Sequence, residues 1–302
     1  VRGERGWELR QALVGELVRE GRVRSAAVEA ALRAVPREVF VPGVPLEEVY
    51  RASEAIVVKR LDGVSVSSAS APDVMALMLE QLAVEPGQHV LEIGAGTGYN
   101  AALLAELVGP DGEVVSLEID EDLVLAAREH LRTVGCERVQ VVLGDGALGY
   151  AAGAPFDRVI LTVGAADIAP AWRDQLGSPG GRLVLPLAIS GTQRCVAFEQ
   201  MRDHLASRAI LNCSFIPLRG LLAGSAARLP LGPNGEMAIS SASLRVSPGR
   251  VSELLAGAHR IVFSGVEAST LDVAEGLLLW LAAREPGMCS LWASSTPGAA
   301  EA

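Results

Sequence analysis

From residue 89 onward the hydrophobic positions of the chain follow two alternating rhythms. Short apolar runs at 89–93, 113–118, 138–142, 157–162, 181–186 and 194–199 read as strands. Amphipathic stretches at 99–108, 121–133 and 169–176 read as helices between them. Strand and helix taken in turn predict an α/β fold, a doubly wound parallel sheet with helices on both faces. The polar residues 201–204 separate the last of these strands from a further apolar stretch at 207–217. These two segments are expected to close the sheet as an antiparallel pair.

The flanks have a different texture. Residues 7–34 predict two short helices, one with Trp7, Leu9, Leu13, Leu17 and Val18 on a single face, the next beginning with Ala26, Val28, Ala31 and Leu32 and stopped by Pro36. The stretch 50–70 is polar and β-branched and ends in a serine-rich run. Pro72 suits the first turn of a helix whose stripe is Val74, Leu77, Met78 and Leu82. After Pro217 the composition shifts, and 218–250, rich in Gly, Pro, Ser and Ala, reads as a linker. A strand at 259–264, a helix starting at Asp272 and a disordered tail from Ser294 complete the chain. The organisation expected is therefore an N-terminal helical and loop region (1–75), a core (76–220) and a C-terminal extension (221–302). One strand and one helix cannot bury a core alone. The extension is expected to pack on the main domain, to make a homodimer, or to be the front part of a longer module.

Composition narrows the picture. Half of the 302 residues are hydrophobic and only 4% are aromatic, so the core must be built mainly from Ala, Val and Leu. The net charge of -10 and a pI near 5.0 argue against a nucleic-acid partner. Four scattered cysteines, with no paired spacing and no histidine nearby, argue against zinc or any other metal site and against a disulfide framework. A reduced, cytoplasmic protein is the expectation. No apolar run approaches the length of a membrane span; 276–283 is too short.

The chemistry concentrates where the first strand meets its helix. Val90-Leu-Glu-Ile-Gly-Ala-Gly-Thr-Gly-Tyr-Asn100 is a strand, a turn with Gly94, Gly96 and Gly98, and a helix start. Such a unit seats a nucleoside. The glycines alternate, and Tyr99 stands where a dinucleotide site has its third glycine. Glu92 lies in the strand just before the turn. Glu118, followed by Ile119, ends the second strand, where a carboxylate can accept both ribose hydroxyls. Asp145, between Gly144 and Gly146 after the third strand, can accept an adenine amino group.

Taken in order, these residues resemble the class I S-adenosylmethionine-dependent methyltransferases. The flanks resemble one family among them, the protein-L-isoaspartate O-methyltransferases. Val35-Pro-Arg-Glu-Val-Phe-Val-Pro42 is similar to their VPR-x-x-FVP segment, and Ser68-Ala-Ser-Ala-Pro72 to their T-I-S-x-P segment. Gly94 to Asn100, Gly144 to Gly146, Ala154 to Ile160, Gly181 to Pro186 and Phe215 to Leu218 match further family motifs in the same order.

This resemblance covers about residues 10–220. It implies a seven-stranded Rossmann-like sheet with the active site over the carboxyl ends of the strands, to which the chain adds its N-terminal helices and a small C-terminal extension. It implies S-adenosylmethionine as cofactor, with S-adenosylhomocysteine as product. Glu92, Gly94, Gly96, Gly98, Tyr99, Glu118, Ile119, Asp145 and Gly146 would bind it. Ser70 would orient the substrate carboxylate, with Ser68 and Ser67 as second choices. Thr162, Val163 and Gly164 would meet the substrate backbone. A carboxylate with an ordinary pKa of about 4 is already ionised at neutral pH, so no strong base is required.

The chain departs from the family in two places. Ile56 to Ser70 replaces the usual approach to the serine, and the chain continues past the Phe-x-Pro-Leu motif to residue 302. Both departures resemble FxLD-type relatives encoded beside ribosomally made peptides. The expected activity is therefore O-methylation of a defined aspartate in a modified precursor peptide, leading to aspartimide or isoaspartate. General repair of isoaspartate in damaged proteins is the alternative. A non-catalytic peptide-binding module on the same fold is the reading from another class.

Overall fold

The computed structural model describes residues 2–177, 179–189, 192–223, 229–231, 237–240, 247–257, 265, 267–269, 272–284 and 290–293. It divides into two compact units, residues 1–187 with 195–223, and residues 188–194 with 224–302.

The first unit opens with α1 (Arg2–Arg19), α2 (Ala26–Ala34), a 3-10 turn at Arg37–Val39 and α3 (Leu46–Val49). Ser25 caps α2 by accepting the Val28 N–H, and Glu80 in turn accepts from the Ser25 backbone and hydroxyl. Next come β1 (Ile56–Leu61) and β2 (Val64–Ala69), an antiparallel hairpin that forms a sheet of its own. Then follow α4 (Pro72–Leu82), β3 (His89–Ile93), α5 (Tyr99–Val108), β4 (Glu113–Glu118) and α6 (Glu121–Thr133). The remaining elements are β5 (Gln140–Leu143), β6 (Arg158–Leu161), α7 (Pro170–Asp174), β7 (Arg182–Ile189), β8 (Thr192–Gln200) and β9 (Leu205–Asn212).

The main sheet has seven strands in the order β5-β4-β3-β6-β7-β8-β9, as expected. Strands β3 to β7 pair in parallel. The short connections after β7 and β8 leave no room for a parallel crossover, so β8 and β9 close the sheet by hairpins. β9 ends at Asn212, before the 217 expected. Pro217 instead makes a lone bridge to Gly164.

Period-2 alternation splits the core between the two faces. Val90 and Val114 join a cluster with α1, α2, α4 and α5 on one side. Leu91, Ile93, Val115 and Leu117 join Phe156 and Trp172 on the other. The boundary expected at residue 75 is not a break, because Leu13, Val28, Phe40 and Val90 share one cluster.

The hairpin at 56–69 was not anticipated, although its signal is in the sequence. Asp62 and Gly63 both have positive φ, at 48° and 78°, the pattern of an Asp-Gly hairpin turn.

In the second unit β10 (Leu229–Leu231), β11 (Met237–Ser240) and β12 (Ser290–Ala293) form a three-stranded sheet. The expected linker at 218–250 is thus partly strand. Leu229 and Leu231 pair with Ile239 and Met237 in antiparallel register. Two helices, α8 (Pro248–Ala256) and α9 (Leu278–Arg284), are also present, the latter entered through a π turn at Val273–Leu277. The strand expected at 259–264 and the tail from 294 lie outside the described residues.

Replacing Gly63 with Val forces a β-branched residue into the left-handed region, a cost of about 1–2 kcal/mol confined to the hairpin. Amide exchange across 56–69 is expected to quicken about tenfold, with the main melt moving less than about 2 °C. Unchanged exchange in that segment would show that the turn does not hold the hairpin.

Candidate active site

The parallel strands deliver their carboxyl ends to one edge of the sheet, where a cleft opens. Its floor is the turn after β3. Gly94 has a φ of +99°, and a Cβ there would lie 2.8 Å from Thr162 Oγ1, so no side chain fits. Thr162 Oγ1 itself donates to Gly94 O at 2.5 Å. Gly98 caps α5 without a side chain, leaving the first N–H groups of that helix toward the turn.

Glu118 organises the wall beside this floor. One of its oxygens accepts the Gly96 N–H at 2.8 Å; the other accepts those of Ile119 and Asp120 at 2.9 and 3.1 Å. Glu118 is buried yet lines the cleft, as does Ile119. Glu92 stands behind the floor. In register with Ser116 of β4 and below Asn100 of α5, it accepts from both, at 2.5 and 2.8 Å. Burial pushes its carboxyl up to about 7 despite these two bonds. Asn100 Oδ1, buried and facing the same cleft, has no hydrogen-bond partner.

Tyr99 is buried and lines the cleft too. Its ring meets the edge of Phe40 at 5.5 Å, and Arg37 lies over it. Gly146 also faces the cleft and its carbonyl takes the indole N–H of the fully buried Trp172 at 2.7 Å. Asp145 is turned otherwise than expected. Its carboxylate accepts the Ala147 N–H at 2.9 Å and the Leu221 N–H at 2.7 Å, which ties the third βα turn to the segment after β9.

The opposite wall is β2 together with the residues that lead from it into α4. Ser67, Ser68 and Ser70 all line the cleft. Ser70 is not the helix cap that its place before α4 suggests. The cap position is Ala71, and no side chain caps there, so the Ser70 hydroxyl is left to the cleft. Thr162 and Val163 complete this side. Gly164 is set back from it, with its N–H on Ile216 O and its carbonyl taken by the Leu218 N–H.

An ionic clasp at the rim joins segments far apart in sequence. Arg219 grips Asp120 through two bonds of 3.1 and 2.6 Å, and Lys59 of β1 reaches Asp120 at 3.0 Å and Asp122 at 2.6 Å. The Arg219 and Lys59 contacts hold the Asp120 carboxyl below its usual range. Sequence reading assigned no part to Asn100, Asp120 or Arg219. For Asn100, its place one helical residue after Tyr99 was the available signal. The clasp has no local signal at all. Among the described residues no cluster of His, Cys, Asp and Glu could hold a metal, and no helix is long and apolar enough to cross a membrane.

Comparison with known proteins agrees with this geometry. The family model for protein-L-isoaspartate(D-aspartate) O-methyltransferase matches residues 8–223, ending where the first unit ends. A protein-L-isoaspartate O-methyltransferase of Hyperthermus butylicus is 40% identical over 70% of this chain and 89% of its own length. One from Methanopyrus kandleri is 38% identical over 70% and 91%. A solved protein-L-isoaspartate O-methyltransferase superposes with a TM-score of 0.66 at 30% identity, covering 74% of each chain. A Plasmodium falciparum structure, described as a putative member in complex with S-adenosyl-L-homocysteine, shares the fold at a TM-score of 0.60 and 20% identity, over 69% of this chain and 97% of that one.

Glu92 gives stability a pH dependence. Between the ordinary carboxyl pKa of 4.5 and about 7, the folded chain keeps a proton that the unfolded chain releases. The contribution is complete below 4.5 and is lost as pH rises through 7, roughly 3 kcal/mol in all. Glu92→Gln removes this titration. Thermal melts without cofactor should show the variant gaining on the wild type from pH 5 to pH 8; parallel curves would refute the assignment.

Proposed function

The chain belongs to the protein-L-isoaspartate(D-aspartate) O-methyltransferase family, and from that premise we propose that it methylates the free carboxylate of L-isoaspartyl residues in damaged proteins. It is an S-adenosylmethionine-dependent carboxyl O-methyltransferase. The observation that carries the repair reading is the reach of the match. Relatives named for isoaspartate methylation align along about nine-tenths of their own length. The activity expected from residues 56–70 and 221–302, methylation of a dedicated precursor peptide, finds no support in these relatives, and the general repair weighed as its alternative fits them better.

The cleft fits the cofactor at both ends. Glu118 offers acceptor lone pairs suited to ribose hydroxyls. Glu92 and the unpartnered Asn100 Oδ1 form a buried acceptor pair that suits an ammonium group. Toward the adenine end the cleft is lined by Gly144 and Gly146, while the Asp145 carboxylate between them is engaged by the Ala147 and Leu221 N–H groups. When bound, S-adenosylmethionine supplies a methyl group on sulfonium sulfur, which keeps the bonding electron pair on transfer.

The residues of the chain position and exclude water; none needs to take a proton. A carboxylate of ordinary pKa, about 4, is already the nucleophile at neutral pH. Ser70 orients it by donating its hydroxyl, helped by the N-terminus of α4, which favours negative charge. Thr162 and Val163 line the path of the substrate backbone. Nothing in the chain is required afterwards, when the next backbone nitrogen of the substrate attacks the ester and expels methanol. Among the described residues Cys136 and Cys195 are buried free thiols, in keeping with a reducing compartment such as the cytoplasm.

Incubation with labelled cofactor separates the readings. Robust labelling of an unrelated isoaspartyl peptide, with the matched aspartyl peptide inert, is the expected result. Labelling of neither peptide would point to a dedicated precursor or to a binding module. Ser70→Ala is expected to lower kcat/KM about ten- to hundredfold, the worth of one hydrogen bond to a charged group, while cofactor affinity stays within about twofold. Undiminished turnover would remove Ser70 from its role.

A further inference from the structure

The segment Val35 to Pro42 takes no direct part in the chemistry above, yet it carries an unusual charge. Arg37 is 1% exposed, and among the described residues no carboxylate is paired with it. Its neighbour Glu38 is engaged elsewhere, by the Tyr50 hydroxyl and by Arg10. Burial pushes the guanidinium down from its ordinary range, so the group is costly where it stands. One of its nitrogens, Nη1, is buried with no hydrogen-bond partner. A structural filler of this size would be cheaper as an apolar residue.

Its contacts converge on the cleft from behind. Nε donates to Val49 O at 3.0 Å, at the end of α3. Nη2 donates to Ala69 O at 3.4 Å, the last residue of β2 and the one before Ser70. The guanidinium carbon lies 5.0 Å from the centroid of the Tyr99 ring, within cation–π range. Phe40, three residues on, packs edge-on against Tyr99 and also against His130 at 5.8 Å. His130 meets Thr97 O of the glycine turn at 2.9 Å. One short segment therefore braces the serine strand, the aromatic wall and the glycine floor.

We propose that Arg37 is a positioning residue for methyl transfer. It fixes Ala69, and with it Ser70, against the Tyr99 wall, so that the substrate side and the cofactor side of the cleft are set as one piece. The inference rests on the reading of Ser70 as the substrate-side residue and of Tyr99 as the cofactor-side wall. The guanidinium is suited to the task because its planar fork can bond two carbonyls and lie on a ring at once. A lysine ammonium keeps the charge but cannot do all three.

Arg37→Lys and Arg37→Met in the full chain test this. Four quantities are read: the melting temperature, the Kd for S-adenosylhomocysteine by calorimetry, KM and kcat for an isoaspartyl peptide, and amide exchange at 66–71 with and without S-adenosylhomocysteine. Arg37→Met is expected to raise the peptide KM about tenfold, with Arg37→Lys in between, while kcat and the Kd stay within about threefold. The protection that S-adenosylhomocysteine confers on 66–71 in the wild type is expected to be lost in both variants. Wild-type KM and wild-type protection in the variants would overturn the proposal. So would a joint worsening of all three, KM and Kd rising and kcat falling in step with the melting temperature. If Arg37→Met does not fold, Arg37→Lys carries the same comparison. A wild-type chain that leaves isoaspartyl peptides unmodified would sink the functional reading, and the exchange experiment would still decide the role of Arg37.

Discussion

The cleft depends on one carboxylate with three backbone donors. Glu118 draws the Gly96 N–H from one turn and the Ile119 and Asp120 N–H groups from another. Gly94 and Ala95 still reach the carbonyl of Leu117, but beyond them the ladder stops, and the N–H groups of Gly96, Ile119 and Asp120 need another acceptor. A buried carboxylate that accepts several N–H groups satisfies them and is itself satisfied. The two turns are thereby fixed relative to each other before any ligand arrives, and Glu118 keeps lone pairs in hand for one. The rest of the site is arranged around that joint. The alternating glycines let the backbone come close enough, and Thr162 closes the floor from β6.

Behind this joint the protein buries two ionisable groups of opposite sign and different character. Glu92 has partners for both oxygens and relieves its remaining cost by holding a proton to about pH 7. Arg37 cannot relieve itself in that way and leans on carbonyls and a ring face. Glu92 lines the cleft from beneath, and Arg37 lies one contact behind Tyr99, which lines it too. Such groups are unfavourable in a core built largely from Ala, Val and Leu, where apolar residues would pack without penalty.

The parts of the fold that could be read from sequence are those governed by short-range rules. Strands β3, β4 and β6 are covered on both faces, so they read as largely apolar runs without a polar face, and the glycine turn and Glu118 follow at fixed offsets. Less legible was the hairpin at 56–69. Its Asp62-Gly63 turn was in plain view, but its strands carry serines, lysine and arginine and show no clean alternation. The strands at 229–231 and 237–240 were hidden by the Gly and Pro around them. Residues 59, 120 and 219 meet only because the chain folds, and no local pattern marks such a meeting. Arg37 was read as one letter of a motif; its burial without a carboxylate belongs to three dimensions.

The ionic clasp at the rim has a consequence of its own. Its members are two cations and two acids joined at the surface, where mobile ions compete with every pair. The floor is held by backbone hydrogen bonds and buried packing, which mobile ions barely touch. Mouth and floor therefore answer to different solvents. In dilute buffer the rim is drawn tight, and in brine it slackens over a floor that has not moved. The ease of entry to the cleft is thus set by the ionic medium as much as by the shape of the cleft.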